Sequence, residues 1–197
     1  MSKKTIALII SLFAVTVVLI ILALYPVAQK TSISIPAAPT KGIASTVLSF
    51  STPTISTASA VSTGSATIYS MDTTILTGSN RVNAVQLELY YDPDALANVE
   101  LSPGNFFTNP VVLLKNVDTK QGRISYALAA SAGQSGKQGK GVVAVLSFRS
   151  LLPAGESTTI KFLPKTQVAA EGVQASVLKS TTDITIFGGT SSATLSQ

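Results

Sequence analysis

The chain has 197 residues and contains no cysteine, no histidine and no tryptophan. Without cysteine it has no disulfide framework and no thiolate metal ligand. Without histidine it cannot assemble a Ser-His-Asp triad or an imidazole zinc site. Those absences remove most common hydrolytic machineries, so no catalytic residue, cofactor or metal centre is expected. Without tryptophan it lacks the broad indole face that suits stacking on sugar rings. Charge is scarce as well, at 12% of residues against 46% hydrophobic.

Part of that imbalance sits in one run. Thr5 to Val27 reads TIALIISLFAVTVVLIILALYPV, 23 residues with no charge. As a helix it would be about 34 Å long, enough to cross a hydrocarbon core of roughly 30 Å. Lys3 and Lys4 precede it. Residues 1–4 are therefore expected as a cytoplasmic stub, 5–27 as a transmembrane signal anchor, and the remainder as exported. The expected location is the cell membrane, single-pass. The alternative is a cleaved signal peptide, whose apolar region runs about 7–15 residues and ends in an A-x-A-like site. The best candidate cut, after Ala28, has Pro26 where a small residue is wanted. With no cysteine there is no lipid-modified one, and a pilin-type Gly-Phe site with an early helical Glu is missing.

The net charge of +5 does not mark a nucleic-acid binder. Lys3, Lys4, Lys30 and Lys41 flank the apolar run, and from Thr46 onward 10 Lys and Arg face 9 Asp and Glu. The excess follows membrane topology rather than a phosphate footprint.

Residues 28–45, small and polar with two prolines, read as an extended linker. Residues 46–187 read as one domain and 188–197 as a flexible tail. The domain is rich in short Val, Ile, Thr, Leu and aromatic segments separated by Gly, Pro, Asn and Asp. Candidate strands are 46–51, 66–74, 82–91, 98–102, 111–117, 123–130, 141–151, 158–163, 175–180 and 183–187. No 3.6-residue apolar stripe persists over three turns. The expectation is all-β, a sandwich or jelly roll.

Alternation assigns faces. In VNAVQLELYYDPDAL, Val85, Leu87, Leu89 and Tyr91 fall on one side, and Ala84, Gln86, Glu88 and Tyr90 on the other. In GVVAVLSFRSL, the side with Leu146 and Phe148 belongs to the core. Ile124, Tyr126, Leu128 and Ala130 share a face. The strand at 82–91 stops at Asp92-Pro93. Asp92 can cap the next turn, Pro93 fits its first position, and Leu96 folds back on the core. This reads as an edge device. SPGN, with Pro103 and Gly104, predicts a second tight turn in which Gly104 takes positive φ.

Segments 82–107, 122–131, 139–151 and 183–189 together resemble a cohesin domain. The resemblance rests on their order and gaps over about 140 residues: a strand ending in Tyr91-Asp92-Pro93, a turn with Leu96, a Pro-Gly turn, and the later apolar strands. It implies a jelly-roll sandwich of about nine strands related to carbohydrate-binding modules. It also implies a non-catalytic receptor that docks dockerin modules in polysaccharide breakdown. The chain departs from the pattern where partner choice is decided. The outward Asn and Asp of well-known first-type cohesins fall here on Ala84 and Gln86. No dockerin-type calcium loop of its own is present.

Gln86, Glu88 and Tyr90 are the candidate partner-binding residues, set against an ordinary solvated sheet face. Tyr is enriched at binding hot spots. Asp92, Asp94 and Glu100 form an acidic cluster near a turn, for which a cap at Asp92 is the simplest role. SAGQSGKQGKG (131–141) fails the phosphate-loop pattern and reads as a flexible connection. Two function classes stay open beside docking: a carbohydrate-binding module, and a structural or adhesion envelope protein reusing the fold.

Overall fold

Period-two alternation along most of residues 46–187 leaves little choice but strands, and strands are what form. The structure, a computed structural model, describes residues 43–55, 68–188 and 193–196. The expected stub, transmembrane helix and most of the linker (1–42) lie outside the described residues. Among the described residues no helix is long and apolar enough to cross a membrane.

Twelve strands are described: β1 (Thr46–Phe50), β2 (Thr54–Ile55), β3 (Ile68–Leu76), β4 (Val82–Tyr90), β5 (Leu96–Pro103), β6 (Val111–Asp118), β7 (Arg123–Ala129), β8 (Lys140–Ser150), β9 (Ser157–Phe162), β10 (Gln167–Ala170), β11 (Leu178–Phe187) and β12 (Ala193–Ser196). Nine of them form one path, β5-β8-β3-β1-β11-β9-β4-β7-β6. The short β2, β10 and β12 attach to β3, β4 and β11. β9 joins the two halves of this path. Its first part pairs with β11 through Ser157–Ile160, and Phe162 and Lys161 then pair with Leu89 and Tyr90 of β4. β1 and β11 run parallel, with Val47 opposite Ser180 and Ser49 opposite Thr182.

The inward residues make one core. Val85, Leu87, Leu89 and Tyr91 are buried, as are Ile124, Tyr126 and Leu128 of β7 and Leu146 and Phe148 of β8. Each fully buried aliphatic side chain contributes about 1.5–3 kcal/mol relative to exposure. Phe50 and Phe162 stack with centroids 4.5 Å apart, which ties β1 to the crossing point of β9.

Several expectations differ from the structure. β4 is not an edge strand. It pairs with β7 along Ala84–Tyr90 on one side and with β9 and β10 on the other. The two candidate strands at 175–180 and 183–187 are one, because the β-branched Thr181 and Thr182 carry the chain on from its β1 partner to β9. Strict alternation in β8 fails at Val143. A register shift opposite Thr73 and Thr74 leaves Val143 unpaired there, so Val143 and Ala144 are both buried. β10, only four residues long and ending in two alanines, carried little strand signal. Residues 193–196, inside the segment expected as a tail, pair antiparallel with Asp183–Ile186.

The role of Gly104 also needs correcting. It does not adopt positive φ. Pro103 is the last residue of β5, opposite Ala144, and Gly104 N–H donates to the Val143 carbonyl at 3.0 Å. A Cβ on Gly104 would collide with the Val142 carbonyl. Glycine is required by backbone approach, not by handedness.

Candidate functional site

The outward side of β4 belongs to a three-strand face, and register fixes what stands beside each residue. Ala84 lies opposite Ala129, which lies opposite Val111. Gln86, Ala127 and Leu114 form the next row, then Glu88, Ser125 and Asn116, then Tyr90, Arg123 and Asp118. Gln86, Glu88 and Tyr90 thus share one strip of this face. Gln86 and Glu88 are half-buried, and Tyr90 is 38% exposed.

The strip is hydrogen-bonded within itself. Gln86 Nε2 donates to Glu88 Oε1 at 3.0 Å, and Ser125 Oγ donates to Glu88 Oε2 at 2.7 Å. Both oxygens of the carboxylate are engaged, so Glu88 is an oriented acceptor rather than a free charge. Its backbone is held too. Thr166 Oγ1 accepts from Glu88 N–H at 3.1 Å and donates to the Glu88 carbonyl at 3.0 Å, and Leu163 N–H donates to the same carbonyl at 2.7 Å. β9 has left β4 at this point and β10 has not begun, so the buried Thr166 hydroxyl fills the gap. Sequence reasoning missed Ser125 and Thr166. Only the pairing register brings them to Glu88, and register is not visible from one strand's alternation.

At the edge of the face, β6 exposes four consecutive aliphatic side chains, Val111, Val112, Leu113 and Leu114, with Leu113 64% exposed. A register shift between Val112 and Leu114 turns Leu113 out of the ladder. An exposed aliphatic run on an edge strand is uncommon in a protein without a partner for it. Lys115 Nζ reaches Glu100 Oε1 of β5 at 3.2 Å across the open side between the two edge strands.

The turn residues lie apart from the face. Ala95 and Leu96 N–H groups donate to the Asp92 carbonyl at 3.2 and 2.9 Å, one helical turn. Asp94 N–H donates to Asp92 Oδ1 at 2.9 Å, and Leu96 is buried. The acidic cluster is therefore divided between a cap and an ion pair with Lys115. Among the described residues no three acidic side chains come together as a metal site. Tyr91 N–H donates to the Gly122 carbonyl at 2.8 Å, and a Cβ on Gly122, at φ +63°, would strike the Tyr91 carbonyl.

The glycine-rich segment 131–141 is pinned rather than free. Lys137 and Val82 exchange both backbone hydrogen bonds, at 2.7 and 2.9 Å. Gly136 N–H donates to the Glu171 carboxylate, which also pairs with Arg81 Nε at 3.0 Å. The Gly136 amide and the Arg81 guanidinium together hold the Glu171 carboxyl below its ordinary value. Burial raises the Tyr126 phenol above its ordinary value, and burial with the nearby Asp118 charge does so for Tyr91.

Comparison with known proteins adds the following. The cohesin domain family model matches residues 53–187. No curated protein sequence matches the chain. Among solved structures, the seventh type I cohesin of scaffoldin B from Pseudobacteroides cellulosolvens is similar at 14% identity and TM-score 0.54, over 72% of this chain and 90% of that one. A type I cohesin–dockerin complex from Clostridium thermocellum matches at 14% identity and TM-score 0.52, over 74% of this chain and 94% of that one. The sixth cohesin of scaffoldin B from Acetivibrio cellulolyticus, solved with a dockerin, matches at 14% identity and TM-score 0.51, over 68% and 93%. At these identities the likeness is one of fold.

Proposed function

Because this chain belongs to the cohesin family, we propose that it is a non-catalytic recognition module that docks a dockerin-type protein through the outward face of β4, β7 and β6. The observation that carries the reading is the pairing, on one face, of an oriented polar strip and an exposed aliphatic edge. Gln86, Glu88 and Ser125 offer fixed hydrogen-bonding groups, and Val111, Leu113 and Leu114 offer apolar area beside them. Interfaces of this composition place hydrogen bonds beside a desolvated apolar core. Tyr90 stands at the end of the strip.

A sugar platform fits less well. Tyr90 is the one exposed aromatic side chain among the described residues, so no row of rings is available for stacking. The apolar run at 5–27 supports placement of the module outside the cell on a single-pass anchor, where a docked enzyme would act on polysaccharide.

The test is capture from the host's secreted proteins, with insoluble polysaccharide run in parallel. Wild type is expected to retain a dockerin-bearing protein. The Gln86→Ala, Glu88→Ala double variant is expected to weaken that capture about tenfold or more. Retention on polysaccharide with no dockerin captured would overturn docking in favour of glycan binding.

A further inference from the structure

A groove of about 200 Å³ opens on the outward face, at the end away from Tyr90. Its floor is Ala84, Ala127 and Ala169, one from each of three adjacent strands. The side chains that would fill it are missing because these positions are alanine. One wall is Leu113, turned outward by the shift in β6. The other wall is the segment after β10, Val173–Ser176. That wall is fixed. Ser176 Oγ accepts from Val168 N–H at 3.1 Å, and Val177 N–H donates to the Val168 carbonyl at 2.9 Å.

Charge decides what fits. No charged side chain lines the groove. Two carboxylates on the neighbouring segments already have partners. Glu88 is held by Gln86 and Ser125, and Glu171 by Arg81 and Gly136. The polar groups at the rim are neutral: Gln86, Gln167 and Gln174. A carboxylate entering here would lose water and find no cation in the lining, and an ammonium would find no carboxylate there. An aliphatic side chain would lose only apolar exposure. The volume is also suitable, since a cavity of about 150 Å³ already holds a benzene-sized apolar group.

We propose that this groove is the specificity socket of the docking face, and that it takes one uncharged aliphatic side chain, of leucine or isoleucine size, from the protein partner. The inference rests on the docking reading and goes beyond it. It predicts a partner chosen by apolar fit and an affinity that depends little on salt. Arg123 and Lys161 stand opposite Tyr90, at the other end of the face.

The test uses the full chain in detergent, isotope-labelled for NMR, titrated with three probes: N-acetyl-leucinamide, N-acetyl-aspartamide with a free side-chain carboxylate, and N-acetyl-lysinamide. The leucine probe is expected to shift the amides of Ala84, Leu113, Ala127 and Ala175 at millimolar concentration. The charged probes are expected to leave them unmoved. Leu113→Lys, at an exposed position where folding is not at stake, is expected to abolish the leucine shifts. It should also weaken capture of a dockerin-bearing partner about tenfold or more. Wild-type capture should change less than about threefold between 0.1 and 0.5 M salt. Equal shifts from a charged probe, shifts located elsewhere, or capture unaffected by Leu113→Lys would overturn the socket. Failure to capture any dockerin-bearing protein, with leucine shifts still on the groove, would instead sink the docking reading and with it the assignment of the groove to that partner.

Discussion

Replacing Tyr126 with phenylalanine should stabilise the protein. Tyr126 lies on the inward side of β7, 1% exposed, and its hydroxyl has no hydrogen-bond partner. A buried polar group left unpaired costs about 1–3 kcal/mol in lost hydration. Phenylalanine keeps the ring, and with it the packing, and removes only the oxygen. The gap left by one oxygen atom returns a small part of the gain, so the net is about 1–2 kcal/mol of added stability. For a domain of this size that is about 3–7 °C in Tm. Urea unfolding of both proteins, with m unchanged, would measure it. The alkaline limb supplies a second reading. The folded-state pKa of Tyr126 is raised by burial above the ordinary 10. Below pH 10 the phenol is neutral in both states. Above it the unfolded chain ionises first, so stability falls as pH rises. Tyr91 acts in the same direction. The variant retains only the Tyr91 contribution and should lose stability less steeply above pH 10. A loss of about 1 kcal/mol or more at neutral pH would refute the reasoning, because the hydroxyl would then be satisfied, for instance by a buried water.

Three further outcomes follow from other sites. Gly122→Ala should destabilise by about 2 kcal/mol or more in urea unfolding, since φ +63° and the Tyr91 carbonyl both oppose a side chain. Leu87→Ala, at a fully buried position in the central β4, should cost about 2–5 kcal/mol in the same assay. Glu171→Gln should speed amide exchange at Gly136 and Lys137 near neutral pH. In the wild type the same loosening should set in only as pH falls below about 4.5, because the carboxyl is held below its ordinary value and its stabilisation is lost on protonation.

Local chemistry was legible wherever burial on one face enforced it. Leu87 and Leu89 against Gln86 and Glu88 identified both strand and face, and Leu146 with Phe148 did the same for β8. Asp92-Pro93 was legible because its cap needs only neighbours within four residues. What escaped depended on distant backbone. That β4 is central rather than an edge follows from the end of β9 and from β10, whose four residues are too short for periodicity to speak. Val143 is buried because of a shift against β3, and Gly104 is glycine because of the Val142 carbonyl, 38 positions away. Segment 131–141 looked free because its composition is that of a linker, yet Glu171 and Val82 hold it. Of the candidate site, the strip of Gln86, Glu88 and Tyr90 was legible from alternation. Ser125, Thr166 and the groove beside Leu113 were not, because each is created by register between strands.

The parallel pairing of β1 with β11 bears on how the module would carry tension. β1 begins at the same end as β11, so the start of β1 and the finish of β11 leave the sheet in opposite directions. A pull between residues 46 and 187 would run along the strands and across their hydrogen bonds. The bonds would then share the load together, where a hairpin pulled at its open end would surrender them one at a time. A module arranged in this way is suited to stand between a fixed surface and something that drags on it.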